Sequence, residues 1–228
     1  RGKKALPRDT IRTALEFLFS ASGTTETKNE AFNLVIREIS RKEWRFPLET
    51  FLGWIDRFSE RGCHKEVAML VDRLDHLEVP LPSERVIGWG MKGISAFHKE
   101  PGSLLLARPE CRTSPLLNLG VLMEAAKEAA ERGDQTATRL VPILILNLRK
   151  KNGGLDKGDI ELFGNIVFRA ALAEESLRTF LLDMLKKEFP PDTFEAILDA
   201  YALNLSDWKK SIDKQFKAKV EEVKRLLS

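Results

Sequence analysis

"FLGWIDRFSERGCHKEVAMLVDRLDHLEVPLPS" runs from Phe51 to Ser83, and its reading governs the rest of the chain. Phe51, Leu52, Ile55 and Phe58 recur at helical spacing. Val67, Leu70, Val71, Leu74 and Leu77 do so again after a break. Gly62 separates the two runs, and Pro80 and Pro82 stop the second. Pro47 opens the first, because a first-turn proline lacks only an N–H that a helix start leaves unpaired anyway. Each helix carries one apolar face that it cannot bury alone. The stretch therefore reads as an antiparallel hairpin that needs neighbours.

The same signals extend both ways. Asp9 is the expected cap of a helix carrying Ile11, Leu15, Leu18 and Phe19, and Phe32, Val35, Ile36 and Ile39 line the next. Ser83 opens a helix holding Gly88, Gly90 and Gly93. Each glycine costs about 1 kcal/mol against alanine in a helix interior, so their presence implies a closely approaching neighbour. From His98 to Ser114, Pro101, Gly102 and Pro109 mark a long loop whose "SLLLA" docks on the protein. Ser114-Pro115 is the expected start of a helix reaching Gly133. Asp134 caps the next, which is apolar on most sides around Val141 to Leu148 and should kink or begin near Pro142. Asp156 and Glu174 start two more, and Pro190-Pro191 ends the second. Asp192 caps a short helix. Ser206-Asp207 caps a final one striped by Trp208, Ile212, Phe216, Val220, Val223 and Leu227. The expectation is an all-α fold of about eleven helices, stacked as antiparallel hairpins in an α-solenoid with the last helix as cap. Residues 1–228 are expected to form one helical-repeat domain, with the 98–114 loop as the place for any subdivision.

Two internal matches support repetition. "ERGCHKEVAMLVDRLDHL" at Glu60 and "ERGDQTATRLVPILILNL" at Glu131 share an opening, and "LVDRLDHLEVP" at Leu70 matches "LLDMLKKEFPP" at Leu181. Their offsets suit two and three units of about 35 residues. The 35 residues from Leu48 to Pro82 resemble a pentatricopeptide repeat, whose hairpin logic the tetratricopeptide repeat shares. The residues that carry the likeness are Phe51, Ile55-Asp56, Phe58, the turn glycine Gly62, the small Ala68, then Leu74, Val79 and Pro82. The resemblance implies stacked hairpins and, in RNA-reading members, a polar base-contacting residue early in the first helix. Leu52 holds that place here, and Ser83 holds the family's second reading place. An apolar reader cannot hydrogen-bond a base, so this unit resembles the scaffold without its reading head.

Composition bounds the function. Apolar residues make up 43% of 228, enough for a sizeable core, and the net charge is only +3, which gives no global footprint for nucleic acid. The basic residues cluster instead: Arg41, Lys42 and Arg45 around Trp44, then Arg149, Lys150 and Lys151, then lysines after Trp208. Cys63 and Cys111 are too few for a disulfide framework, and no apolar run reaches membrane-spanning length. With Arg1 rather than methionine first, the chain is expected to be a domain of a longer intracellular protein, cytoplasmic or nuclear.

Catalytic and metal chemistry find no foothold. Cys63-His64 lacks a second closely spaced pair among His76, His98 and Cys111, so neither zinc nor a Cys/His nucleophile is expected. "NGGLDKGD" lacks the oxygen spacing of a calcium loop, and "GWGMKG" follows no strand and lacks the Gly-Lys-Ser/Thr ending of a phosphate loop. Trp54 and Trp89 suit a core, whereas Trp44 lies outside the apolar stripe. The expected function is non-enzymatic protein binding without cofactors, toward a partner segment or a second copy through the last helix. Trp44, Phe46, Arg41 and Arg45 are the candidate contacts. The alternative is RNA binding through Arg41, Lys42, Arg45, Arg149, Lys150 and Lys151.

Overall fold

The computed structural model describes residues 7–19, 25–39, 47–151 and 155–227. Among these the regular structure is entirely helical. The helices are α1 (Arg8–Phe19), α2 (Thr25–Ile39), α3 (Leu48–Glu60), α4 (His64–His76), α5 (Ser83–Ile94) and α6 (Glu100–Leu106), followed by α7 (Leu119–Arg132), α8 (Gln135–Lys151), α9 (Lys157–Ala173), α10 (Glu175–Glu188) and α11 (Pro191–Leu227). The count of eleven agrees with the expectation through two departures that offset each other.

The first departure is α6, which lies inside the stretch read as a loop. Pro101 sits in its first turn, where a missing N–H costs nothing, and Ser103, Leu105 and Leu106 are buried. Tertiary contact outweighs the breaker composition there. The second is α11, one helix of 37 residues where two were expected. Ser206-Asp207 has capping chemistry, but neither glycine nor proline stands between Asp192 and Leu227, so nothing obliges the helix to stop. Several starts also differ. α3 begins at Leu48 with Pro47 as its cap residue rather than in its first turn, and α11 begins at Pro191 and holds Asp192 in its first turn rather than as its cap. α1 begins at Arg8 and leaves Asp9 in its first turn, where a carboxylate suits the helix dipole. α7 begins at Leu119, capped by Asn118, whose Oδ1 accepts the Val121 N–H at 3.1 Å. Ser114 instead accepts the Leu116 N–H in a turn.

The helices fall into two compact units, one ending at Leu116 and one starting at Leu117. In the first, α1/α2, α3/α4 and α5/α6 pair as hairpins, α3 packs on α5, and α2, α4 and α6 follow one another in a second row. The α3/α4 hairpin confirms the opening reading. Gly62 takes φ +73, its N–H reaches the Ser59 carbonyl at 3.1 Å, and the Cys63 N–H reaches that of Phe58 at 3.0 Å. This paired pattern satisfies two carbonyls that a helix end leaves orphaned, and it needs a left-handed residue. Gly133, the counterpart in the second "ERG" match, ends α7 in the same way with φ +68, and Asp134 N–H meets the Ala129 carbonyl at 2.9 Å. The "ERG" match thus marks equivalent ends of first helices.

α4 closes by the same pattern with the wrong residue for it. Glu78 N–H reaches Asp75 at 2.8 Å and Val79 N–H reaches Leu74 at 3.0 Å, which leaves Glu78 at φ +58. A side chain in this region costs about 1 kcal/mol or more, because Cβ crowds the following carbonyl. Glu78→Gly is therefore expected to raise the stability of the protein by about 0.5–1 kcal/mol. The check is a rightward shift of the urea midpoint at unchanged slope, and a leftward shift would contradict the left-handed assignment.

The expected close neighbour of α5 is α6, which it meets at Gly90 and Gly93 but not at Gly88, where a Cβ would have nothing within 4 Å. A Cβ on Gly90 would meet the Leu106 side chain at 2.5 Å, and one on Gly93 would lie 2.9 Å from the Gly102 Cα. Polar ties hold the rows in register. Asp56, from the Ile55-Asp56 pair, accepts the Trp89 indole N–H at 2.8 Å and pairs with Arg85, which joins α3 to α5. Arg108 pairs with Asp75 through both terminal guanidinium nitrogens and with Glu110 through Nε at 2.7 Å, which fastens the segment after α6 onto α4. Lys99 is buried, and its Nζ donates to the Ile94 and Ala96 carbonyls at the end of α5.

In the second unit α7/α8 and α9/α10 are the hairpins, α9 packs against both α7 and α11, and α8 meets α10. Asp134 caps α8 as expected, its Oδ1 accepting the Ala137 N–H at 2.9 Å. α8 continues through Pro142, which is buried with Val141, Leu144, Ile145 and Leu146. Asp156 starts α9 through a reciprocal capping box with Asp159. α9 and α11 run parallel, since Gly164 meets Ala200, Asn165 meets Asn204 and Phe168 meets Trp208. A Cβ on Gly164 would lie 2.6 Å from that of Ala200, so the missing side chain is what allows this approach.

Candidate functional site

Arg41, Lys42, Trp44, Arg45 and Phe46 lie outside the described residues. The second basic cluster closes α8. Arg149 is drawn into the fold, whereas Lys150 and Lys151 are exposed. Arg149 Nη2 lies 2.8 Å from Asp159 Oδ1 and 3.4 Å from Asp156 Oδ2, and Asp159 is fully buried. Lys150 pairs with Glu188 of α10. Lys151 is exposed at the helix end. Of the two reading places implied by the repeat resemblance, Leu52 is buried in the hairpin core and Ser83 is the first residue of α5. Trp89 is buried and Trp54 half-buried, its ring edge-on to Phe51 at 5.5 Å.

The thiols and the imidazole beside them sit in environments that suppress reactivity. Burial, reinforced by Glu66, pushes the Cys63 thiol up. Burial, helped by Glu110, pushes Cys111 up from 9.0 to about 11. Burial and the charge of Lys92 lower His64, which keeps its ring neutral near pH 7. A nucleophilic cysteine needs the opposite shift. Among the described residues, no three His, Cys, Asp or Glu side chains converge to hold a metal ion. Native protein is expected to react with iodoacetamide slowly at Cys63 and not at Cys111, with both alkylated after unfolding. Cys111 also sets a pH response. Its folded pKa lies above its unfolded one, so its contribution is complete below pH 9.0 and is lost as pH climbs toward 11. Urea midpoints measured across that window should fall in the wild type and fall less in Cys111→Ala.

The conspicuous surface feature is α11. Its first half packs on α9 through Ala200 and Asn204, and Ile197 there is fully buried. From Ser206 to Lys219 every described side chain is exposed. Trp208 is 38% exposed, Ile212 44% and Phe216 68%. These residues were legible as a stripe; that half of it stays uncovered was not, because only the length of α9 decides where cover ends. No helix among the described residues is long and apolar enough to cross a membrane. No protein-family model matches the chain, and comparison with curated proteins and with solved structures likewise returns no match.

Proposed function

We propose that this chain is a non-enzymatic protein-interaction module of an intracellular protein, built on stacked helical hairpins. One observation carries the reading: several arginines are spent on carboxylates within the fold, while large apolar side chains are left outside. Asp56 with Arg85, Asp159 with Arg149 and Glu131 with Arg169 tie helices to one another, and Asp75 with Arg108 ties the segment after α6 to α4, leaving less charge for phosphates. Phe97, Leu104, Leu203 and Phe216 remain exposed. Scattered singly such residues are ordinary, but Trp208, Ile212 and Phe216 follow one another by turns of α11, and a run of that kind suits a docking surface. The raised thiols, and the fact that no three His, Cys, Asp or Glu side chains among the described residues converge to hold a metal ion, support the non-enzymatic part of the reading.

The test is capture of partners from extract on the immobilised chain, with and without RNase. Proteins retained after RNase support the proposal, and partners that vanish with RNase favour the RNA reading. That second reading draws on Lys151 at the surface beside Arg149 and Lys150, with Arg41, Lys42 and Arg45 as further phosphate contacts. Under it, removing one phosphate-binding lysine should lower the salt slope of RNA affinity by about one.

A further inference from the structure

We infer that the exposed reach of α11, residues 206–219, lies on the surface of an anionic phospholipid bilayer, with its apolar face at the acyl boundary and its lysines among the headgroups. The inference goes beyond the protein-interaction reading, which keeps Phe97, Leu104 and Leu203 for a protein partner. Every described side chain of this reach is exposed. At ~100° per residue, Trp208, Ile212 and Phe216 occupy about 80° of the helix circumference. Trp208 also meets Phe168, ring centroids 6.4 Å apart, so the stripe starts at the fold and runs outward from it. In the sequence it goes on to Val220, Val223 and Leu227. Lys210, Lys214 and Lys217 lie about 180–240° round from Trp208, on the opposite face. Trp and Phe on one side with lysines on the other is the layout of a helix that rests in the headgroup boundary. Such a helix lies on the bilayer without crossing it.

Charge favours the bilayer over the other occupants. Residues 206–219 hold five lysines, at positions 209, 210, 214, 217 and 219, against Asp207 and Asp213. Among the described residues only Lys210 of the five has an ion-pair partner, Asp207 at 3.3 Å. The arc from Trp208 round to Lys209, about 100° wide, also holds Lys219, Ile212 and Phe216, and both aspartates fall outside it. A second copy docked on this arc would bring the same residues, lysine against lysine with no acid to neutralise them. A bilayer accepts Lys209 and Lys219, because their long stems carry the charge past the apolar boundary to the phosphates. It also gives the remaining three lysines something to act on. A helix about 10–12 Å across, sunk about 5–10 Å on its apolar side, keeps its far lysines within the ~8 Å over which the surface potential acts at physiological salt. A protein groove touches one face only and leaves Lys210, Lys214 and Lys217 without a role.

The test is sedimentation of the full chain with vesicles of equimolar phosphatidylserine and phosphatidylcholine, and with vesicles of phosphatidylcholine alone. The expected result is binding to the first that exceeds binding to the second. It should weaken by at least about tenfold in Phe216→Asp, and by at least about tenfold when Lys210, Lys214 and Lys217 are all changed to Gln. All four side chains are exposed, so the thermal transition should not move, which separates lost contact from lost folding. Lipids brominated in their acyl chains should quench the emission of the Phe216→Trp chain more than that of the Lys214→Trp chain, because only the first places its indole on the apolar face. Binding to neither vesicle, equal binding to both, or binding that Phe216→Asp leaves unchanged overturns the inference, as does equal quenching of the two tryptophan chains. A dimer in sedimentation equilibrium that Phe216→Asp dissociates also overturns it and gives the face to a second copy. Protein capture from extract that Phe216→Asp abolishes, without any vesicle binding, overturns it in favour of a protein partner.

Discussion

Gly102→Ala is expected to destabilise the first unit by at least about 3 kcal/mol, beyond the usual range for overpacking. The reason is what surrounds the missing side chain. A Cβ there would lie 2.6 Å from the Gly90 carbonyl oxygen, 2.5 Å from the Gly93 carbonyl carbon and closer still to the Ile94 nitrogen. All three are backbone atoms of α5, so no change of rotamer relieves the clash. α5 cannot readily retreat either, because Trp89 is hydrogen-bonded to Asp56 on α3. α6 would have to withdraw instead, taking Leu105 and Leu106 out of the core. Against a total domain stability of about 5–15 kcal/mol, the loss is large. Gly88→Ala is the matched control, on the same helix with nothing within 4 Å of the added carbon. It should stabilise by about 0.5–1 kcal/mol through helix propensity alone. Urea titrations of the two variants decide the matter. If Gly102→Ala unfolds at the wild-type midpoint, the two helices do not touch at their backbones.

That contact also shows how far the sequence could be read. Gly90 and Gly93 announced a close neighbour, but their partner lay in a segment whose Pro101, Gly102 and Pro109 read as breakers. Pro101 is harmless at a helix start, and Gly102 is what the crossing requires, so the features that argued for a loop are the ones that build the helix. Periodicity located the other helices because their apolar faces repeat over three or four turns, and α6, at seven residues, is too short to show a period. The ends were legible where chemistry is local, as at Gly62, Gly133, Asp134 and Asp156. Glu78 escaped notice because its left-handed turn is imposed by carbonyls, without the glycine that usually signals it.

The basic cluster of α8 was less legible, and for a different reason. Sequence spacing puts Arg149, Lys150 and Lys151 on adjacent positions and leaves their partners unnamed. Those partners lie 10 residues on for Arg149 and 38 on for Lys150. Charge pairing across hairpins is a tertiary property. A run of cations therefore looks the same in sequence whether it faces a phosphate or a buried aspartate.

Removing that buried aspartate should produce the second large loss. Asp159 accepts from Arg149 Nε at 3.0 Å and Nη2 at 2.8 Å, and its other oxygen accepts the Asp156 N–H at 2.9 Å. Asp159→Ala deletes half of the capping box and strands a cation whose remaining partner is Asp156 at 3.4 Å. Breaking a fully buried pair from one side costs about 3–5 kcal/mol, and with Arg149 itself 23% exposed and still paired with Asp156 the loss should fall toward the lower end, about 3 kcal/mol. Asp159→Asn keeps the shape but can no longer accept at both oxygens, and a loss of about 1–3 kcal/mol follows. If the stranded cation dominates, adding Arg149→Met to Asp159→Ala should restore at least about 1 kcal/mol, a coupling that a double-mutant cycle measures directly. The same cycle bears on function. Arg149 is held by Asp159 in the native fold, so Asp159→Asn should release it toward solvent. If the variant then gains RNA affinity over the wild type, with a steeper salt dependence, Asp159 is what withholds the α8 cluster from phosphate. If affinity is unchanged, Arg149 plays no part in RNA binding, and its role is to hold α9 against α8.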